Sequence, residues 1–178
     1  MTSLVASSRN NQTAATPCSP VVNMRYMLDT NTCIYAIKHR PPEVLAALRA
    51  HEGAGLGVST ITVAELAFGV AKSGSARNAV ALKQFLEPLF VADFDGPAAA
   101  RCGQLRAALE AAGTPIGPLD TQIAAHALAL DVTLVSHNTG EFSRVPGLKL
   151  VNWVADPWFT AAADCAAPDR TTRAPAAR

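Results

Sequence analysis

Charge is scarce in this 178-residue chain: Asp, Glu, Lys and Arg make up 16% of it, against 49% hydrophobic residues, and the net charge is +1. No global positive field therefore marks a high-affinity nucleic-acid binder, although a local basic rim remains open to it. No apolar run approaches the ~20 residues of a membrane span. The opening Met1-Thr2-Ser3-Leu4-Val5-Ala6 also lacks the basic start and apolar stretch of a secretory signal. Cysteines at 18, 33, 102 and 165 form no close pair. That speaks against zinc ligation and disulfides, and fits free thiols in a reducing cytoplasm. His39, His51, His126 and His137 have no metal-ligand spacing; His126 reads as structural and His137 as a residue lining a site. A Ser–His–Asp spacing and a nucleophile elbow are both missing.

What is present suits one domain of about 130 residues with two tails. Residues 1–23 are rich in Ser, Asn, Thr and Pro with no acids, and 155–178 are rich in Ala, Pro and Arg. Both read as disordered extensions, and Met24 is an alternative start. Between them, over 24–154, strand and helix patterns alternate. Strands are expected at 25–28, 56–59, 89–92, 132–136 and 149–151. Helices are expected at 30–37, 43–51, 62–72, 77–86 and 97–112, with a short turn at 141–144. Leu119, Ile123, Ala127 and Leu130 repeat at helical spacing and predict one apolar face on a core. Strands separated by helices imply a parallel sheet covered on both faces. Gly53-Ala54-Gly55-Leu56-Gly57 resembles a phosphate-binding loop, but it precedes its strand and reads as a flexible turn.

Four acids stand where a carboxylate has no local reason to be. Asp29 closes the run Met24-Arg25-Tyr26-Met27-Leu28, and Glu65 is the only charge in the stretch from Ile61 to Val70. Asp120 follows Ile116-Gly117-Pro118-Leu119, and Glu141 follows Val135-Ser136-His137-Asn138-Thr139-Gly140. Asp29 and Asp120 each have a bland reading at the start of a helix, and Glu141 alone would pass as solvated. Glu65 has no Lys or Arg three or four residues away, so it faces a crevice or binds something. Unpaired buried carboxylates are costly, so four together call for a common partner. A hard divalent cation with oxygen ligands is the economical one, and it outlines a metal-dependent phosphodiesterase site. Asn31 and Ser136 are short polar groups placed for hydrogen bonds to these acids.

These motifs carry a resemblance. Met27-Leu28-Asp29-Thr30-Asn31-Thr32-Cys33-Ile34-Tyr35 and Ser59-Thr60-Ile61-Thr62-Val63-Ala64-Glu65-Leu66 look like the start of a PIN-domain ribonuclease of the VapC toxin type. Ile116-Gly117-Pro118-Leu119-Asp120-Thr121-Gln122-Ile123-Ala124 and Leu134-Val135-Ser136-His137-Asn138-Thr139-Gly140-Glu141-Phe142 continue it in order, over about 24–154. The resemblance implies a PIN-like three-layer α/β/α sandwich with a five-stranded parallel sheet, and a Mg2+ site that Mn2+ can also fill. Asp29, Glu65 and Asp120 match the three central acids, with Asp29 and Asp120 as metal ligands. Many PIN domains have Asp where Asn138 stands. A subgroup has Asn there and Glu three residues on, so the fourth acid falls to Glu141, directly or through water, with Asn138 a neutral neighbour. Ser136 matches a small hydroxyl residue that orients this group.

The resemblance further implies an endoribonuclease toxin that hydrolyses RNA in the cytoplasm and is held by a VapB-type antitoxin, usually as a homodimer. The subgroup motif hints at structured RNA, such as the anticodon loop of initiator tRNA. Lys38, Arg40, Lys72, Arg77 and Lys83 are candidate RNA contacts on the rim, each also readable as an ordinary surface charge. Two rivals stand beside this expectation. One is an Asp-nucleophile phosphatase, which needs a second acid where Asn31 stands. The other is a PIN-like RNA-binding module without metal-dependent catalysis, for which Asn138 is the support.

Overall fold

Short apolar runs become strands, and polar-capped Ala-rich stretches become helices. In the computed structural model, which describes residues 24–154, β1 is Tyr26–Leu28, α1 Thr30–Lys38, α2 Pro42–Ala50, β2 Leu56–Ser59, α3 Thr60–Ser73, α4 Ala76–Leu86, β3 Phe90–Ala92, α5 Gly96–Ala111, α6 Pro118–Ala129, β4 Thr133–Val135, α7 Thr139–Phe142 and β5 Leu150–Val151. The expected extension 1–23 and tail 155–178, with Cys18 and Cys165, lie outside the described residues.

The strands form one parallel sheet in the order β3-β2-β1-β4-β5. Leu28 lies opposite both Val58 and Val135. Alternation along the strands fills two cores. Met27 and Leu134 face a layer with Leu105, Leu109, Ile123 and Phe142 from α5, α6 and α7. Tyr26, Leu28 and Val135 face the opposite layer with Cys33, Leu66 and Leu82 from α1, α3 and α4. Helices on both faces shield the central strands β1, β2 and β4 from water, which is why these are written as largely apolar runs, whereas Phe90 and Val91 of the edge strand β3 are exposed.

Capping explains most helix starts. Ser59 accepts from the Ile61 amide, Ser75 from Asn78 and Asp95 from Ala98, each using an otherwise orphaned donor. The Ser59 cap starts α3 at Thr60, two residues ahead of the sequence expectation. Gly53 and Gly55, at φ 85° and 81°, make the turn read from the glycine cluster. Gly57 differs from them: it lies in β2, where a Cβ would sit 2.6 Å from the Phe90 carbonyl oxygen and against Met24.

Two expectations need correction. Ile123 and Ala127 are fully buried, but Leu119 and Leu130 are 44% and 37% exposed. α6 is enclosed on several sides along its middle and protrudes at its ends, so its repeat marks no single stripe. The short helix runs from Thr139 to Phe142, and not over 141–144. It begins directly after Asn138, so Glu141 lies within it and Phe142 anchors it in the core.

Candidate active site

The strand order reverses between β1 and β4, and a crevice at the carboxyl ends of parallel strands opens at such a point. Asp29 follows β1 there, and Ser136, Asn138 and Glu141 follow β4. Glu65 reaches the crevice from α3 and Asp120 from the first turn of α6.

Asp29 is the deepest of the acids, at 2% exposure. One carboxylate oxygen accepts from the Thr30 amide at 2.7 Å, and the other from the Ser136 hydroxyl at 2.7 Å. Asp29 is thus also the N-cap of α1, and the helix-start reading and the site reading describe one residue. Ser136 Oγ in turn accepts from the Asn138 amide at 3.0 Å, which fixes it between the loop and Asp29. Glu65, half-buried, accepts from Thr30 Oγ1 at 2.5 Å. Asp120 accepts from the Asn138 side-chain amide at 3.3 Å, and Glu141 accepts from the Gly117 amide at 3.0 Å.

The charges perturb one another. Burial pushes the Asp29 carboxyl above its ordinary value. Hydrogen bonds from Ser136, Thr30 and the Asn31 backbone oppose this, and the Glu65 charge adds to it. Asp120 is pushed up to about 6, first by burial, then by the charges of Asp29 and Glu141, a carboxyl–carboxyl hydrogen bond with Glu141, and the charge of Glu65. All four acids therefore share one electrostatic environment, which favours either a proton or a cation among them.

Among the described residues, no group of three His, Cys, Asp or Glu is yet close enough to grip one ion. Each acid is instead held by a polar neighbour: Glu65 by Thr30, Glu141 by Gly117 and Asp120 by Asn138. Those neutral hydrogen bonds are weak beside bonds from four carboxylates to a divalent cation. The donor set, all oxygen and strongly anionic, fits a hard ion.

Other candidates fall into place around this centre. The Asn31 side chain is exposed, and it is the backbone of Asn31 that faces Asp29. His137 is exposed at the crevice, edge-on to Tyr35 with ring centroids 6.0 Å apart. His126 is 1% exposed and bonded through Nδ1 to Ser59 Oγ at 2.9 Å, the structural role expected of it. Lys38 lines a groove that includes Glu65. Arg40, Lys72, Arg77 and Lys83 are exposed, and no hydrogen bond or ion pair among the described residues ties them to the acids. Sequence reasoning missed Thr30 and Gly117 as groups that hold Glu65 and Glu141. Only adjacency to Asp29 and Asp120 could have drawn notice to them.

The PIN-domain family model matches residues 26–148. The tRNA(fMet)-specific endonuclease VapC of Salmonella typhimurium is 39% identical over 131 residues, which span 73% of this chain and 98% of that protein. Ribonuclease VapC2 of Haemophilus influenzae is 44% identical over 132 residues, spanning 74% and 99%. Among solved structures, VapBC2 from Rickettsia felis bound to a DNA fragment from its promoter aligns with a TM-score of 0.69 at 41% identity, covering 73% of this chain and 99% of that one.

Proposed function

The chain belongs to the PIN-domain family, among its VapC ribonucleases, and from this we propose that Asp29, Glu65, Asp120 and Glu141 hold a divalent cation, Mg2+ with Mn2+ as a substitute, for endonucleolytic cleavage of RNA. The carrying observation is the convergence of four acids from separate elements on one crevice, where burial first, and then the charges of Asp29, Glu141 and Glu65, push Asp120 up to about 6. Bound there, the cation would polarise the scissile phosphate and lower the pKa of an attacking water. The chain's own groups do the rest. Asp29, kept in place by Ser136 and Thr30, and Asp120, on the first turn of α6, are the nearest to fixed ligands. Glu65 and Glu141 are held by single neutral donors and can turn inward. Asn138 steers Asp120 while adding no charge.

The substrate follows from the relatives. The Salmonella protein is named for tRNA(fMet), and tRNA is the proposed substrate class here. Cleavage by water, with no covalent intermediate, would leave 5′-phosphate and 3′-hydroxyl ends. The solved relatives are VapBC complexes, so the partner is a VapB-type antitoxin. A groove of about 280 Å3 lined by Ile34, Ile37, Leu66, Val70 and Leu82 and reaching Glu65 suits an apolar helix of such a partner. The two-toxin core expected from the family completes the assembly. Among the described residues no helix is long and apolar enough to cross a membrane; the cytoplasm, where tRNA is found, is the proposed compartment.

A calorimetric Mn2+ titration beside an RNA cleavage assay with and without EDTA tests this reading. Binding near neutral pH and cleavage abolished by EDTA are expected. Absence of divalent-ion binding would favour the RNA-binding module instead. Replacing Ser136 with Ala removes one of the two hydrogen bonds on Asp29. It should weaken Mn2+ binding by about 10–100-fold, read in the same titration, with the fold intact.

A further inference from the structure

Gly117 touches both halves of the acid cluster at once. Its amide donates to Glu141 Oε2 at 3.0 Å. Its carbonyl accepts from the Thr121 amide at 2.8 Å and from Thr121 Oγ1 at 2.9 Å, which locks the residue to the first turn of α6. Its bare Cα faces Asp120: a Cβ there would lie 3.0 Å from Asp120 Oδ2 and 3.5 Å from the carboxyl carbon.

Backbone conformation does not account for the glycine. At φ −53° and ψ 145° the residue is in a region open to any amino acid. Pro118 at the head of α6 itself favours that extended conformation in the residue before it, and so aims the Gly117 amide back at Glu141. What only glycine supplies is room. A methyl at this point would press on a carboxylate already held by Asn138, and would move it by a few tenths of an ångström.

We propose that Gly117 is a positioning residue that sets the separation of the Asp120 and Glu141 carboxylates, and through it the affinity for the divalent cation. The inference rests on the metal-site reading above. Ligand sets tolerate little displacement, and groups one step behind the ligands commonly change metal affinity by about 10–100-fold.

The test is Gly117→Ala in the full chain, with Mn2+ titrated by calorimetry, thermal unfolding without metal, and RNA cleavage. The expected result is a Mn2+ dissociation constant raised about tenfold, with cleavage reduced and the metal-free melting temperature unchanged or slightly higher. The half-exposed Asp120 side chain can yield to the methyl, and alanine fits this backbone conformation while restricting the unfolded chain. Gly103→Ala, on α5 with nothing within 4 Å of the added Cβ, should bind Mn2+ as the parent does. In a Glu141→Gln background the effect of Gly117→Ala should shrink, because the two changes act on one pair. Wild-type Mn2+ affinity in Gly117→Ala overturns the inference, and so does full additivity with Glu141→Gln, the outcome that remains readable should Gly117→Ala lower stability. Failure of the underlying reading looks different: the parent chain binds no Mn2+, or Asp120→Asn binds it unimpaired.

Discussion

Asp120→Asn should lose RNA cleavage by about a thousandfold or more, while the metal-free protein becomes more stable. The substitution keeps the volume of the side chain and an oxygen for Asn138 to donate to, but removes one charge from the proposed ligand set. Several kcal/mol of cation-borne charge stabilisation depend on that set, and each 1.36 kcal/mol is tenfold in rate. The stability effect has a definite sign and pH window. The unfolded Asp ionises near 3.8 and the folded one near 6. Between those values the folded chain binds more protons, so metal-free stability falls as pH rises through the window. Asp120 is half-exposed, so solvent screening reduces the penalty to on the order of 1 kcal/mol above pH 6. The variant should therefore match the parent below about pH 4 and exceed it by a few degrees in melting temperature at pH 7. Saturating Mn2+ should reverse the order, since only the parent gains from ligand binding. Differential scanning calorimetry across pH, with and without Mn2+, reads both effects, and cleavage at the parent rate in the variant would falsify the site assignment.

The central strands were legible because a parallel strand buried on both faces is written as a short, largely apolar run, as at Tyr26–Leu28 and at Leu134 and Val135. Asp29 and Glu65 were legible for the converse reason: a charge that interrupts such a pattern needs a partner elsewhere. Less was visible where local and tertiary explanations coincide. Leu119 and Leu130 keep the helical repeat of α6 but lie at its ends, where the flanking layers no longer cover it. The start of α7 depends on the chain turning at Asn138, whose backbone and side chain bond to Ser136 and Asp120, and no propensity encodes that. Thr30 reads as an ordinary helix-opening residue and Gly117 as an ordinary residue before proline. Their contacts with Glu65 and Glu141 span 35 and 24 positions, beyond any periodic pattern.

Asp29→Asn should abolish cleavage as completely as Asp120→Asn, yet without its gain in stability. The difference lies in the hydrogen bonds. Asp29 is 2% exposed, and its two oxygens accept from the Thr30 amide and the Ser136 hydroxyl. An asparagine has one oxygen to offer. With its NH2 toward Thr30, two donors face each other. With its NH2 toward Ser136, the hydroxyl must accept from it as well as from the Asn138 amide, and the hydroxyl proton loses its acceptor. Either way a buried donor is left unpaired, which costs about 1–3 kcal/mol. Removing the buried charge works in the other direction, because burial and the Glu65 charge hold the Asp29 carboxyl above its ordinary value. The two contributions oppose, so the metal-free melting temperature at pH 7 should be no higher than the parent's. At Asp120 the retained oxygen still meets its one donor, and relief of repulsion acts unopposed. Parallel melts of the two variants without metal make the comparison direct. An equal rise in both would show that the Ser136 and Thr30 bonds do not hold Asp29 in place, and retained cleavage in Asp29→Asn would remove it from the site.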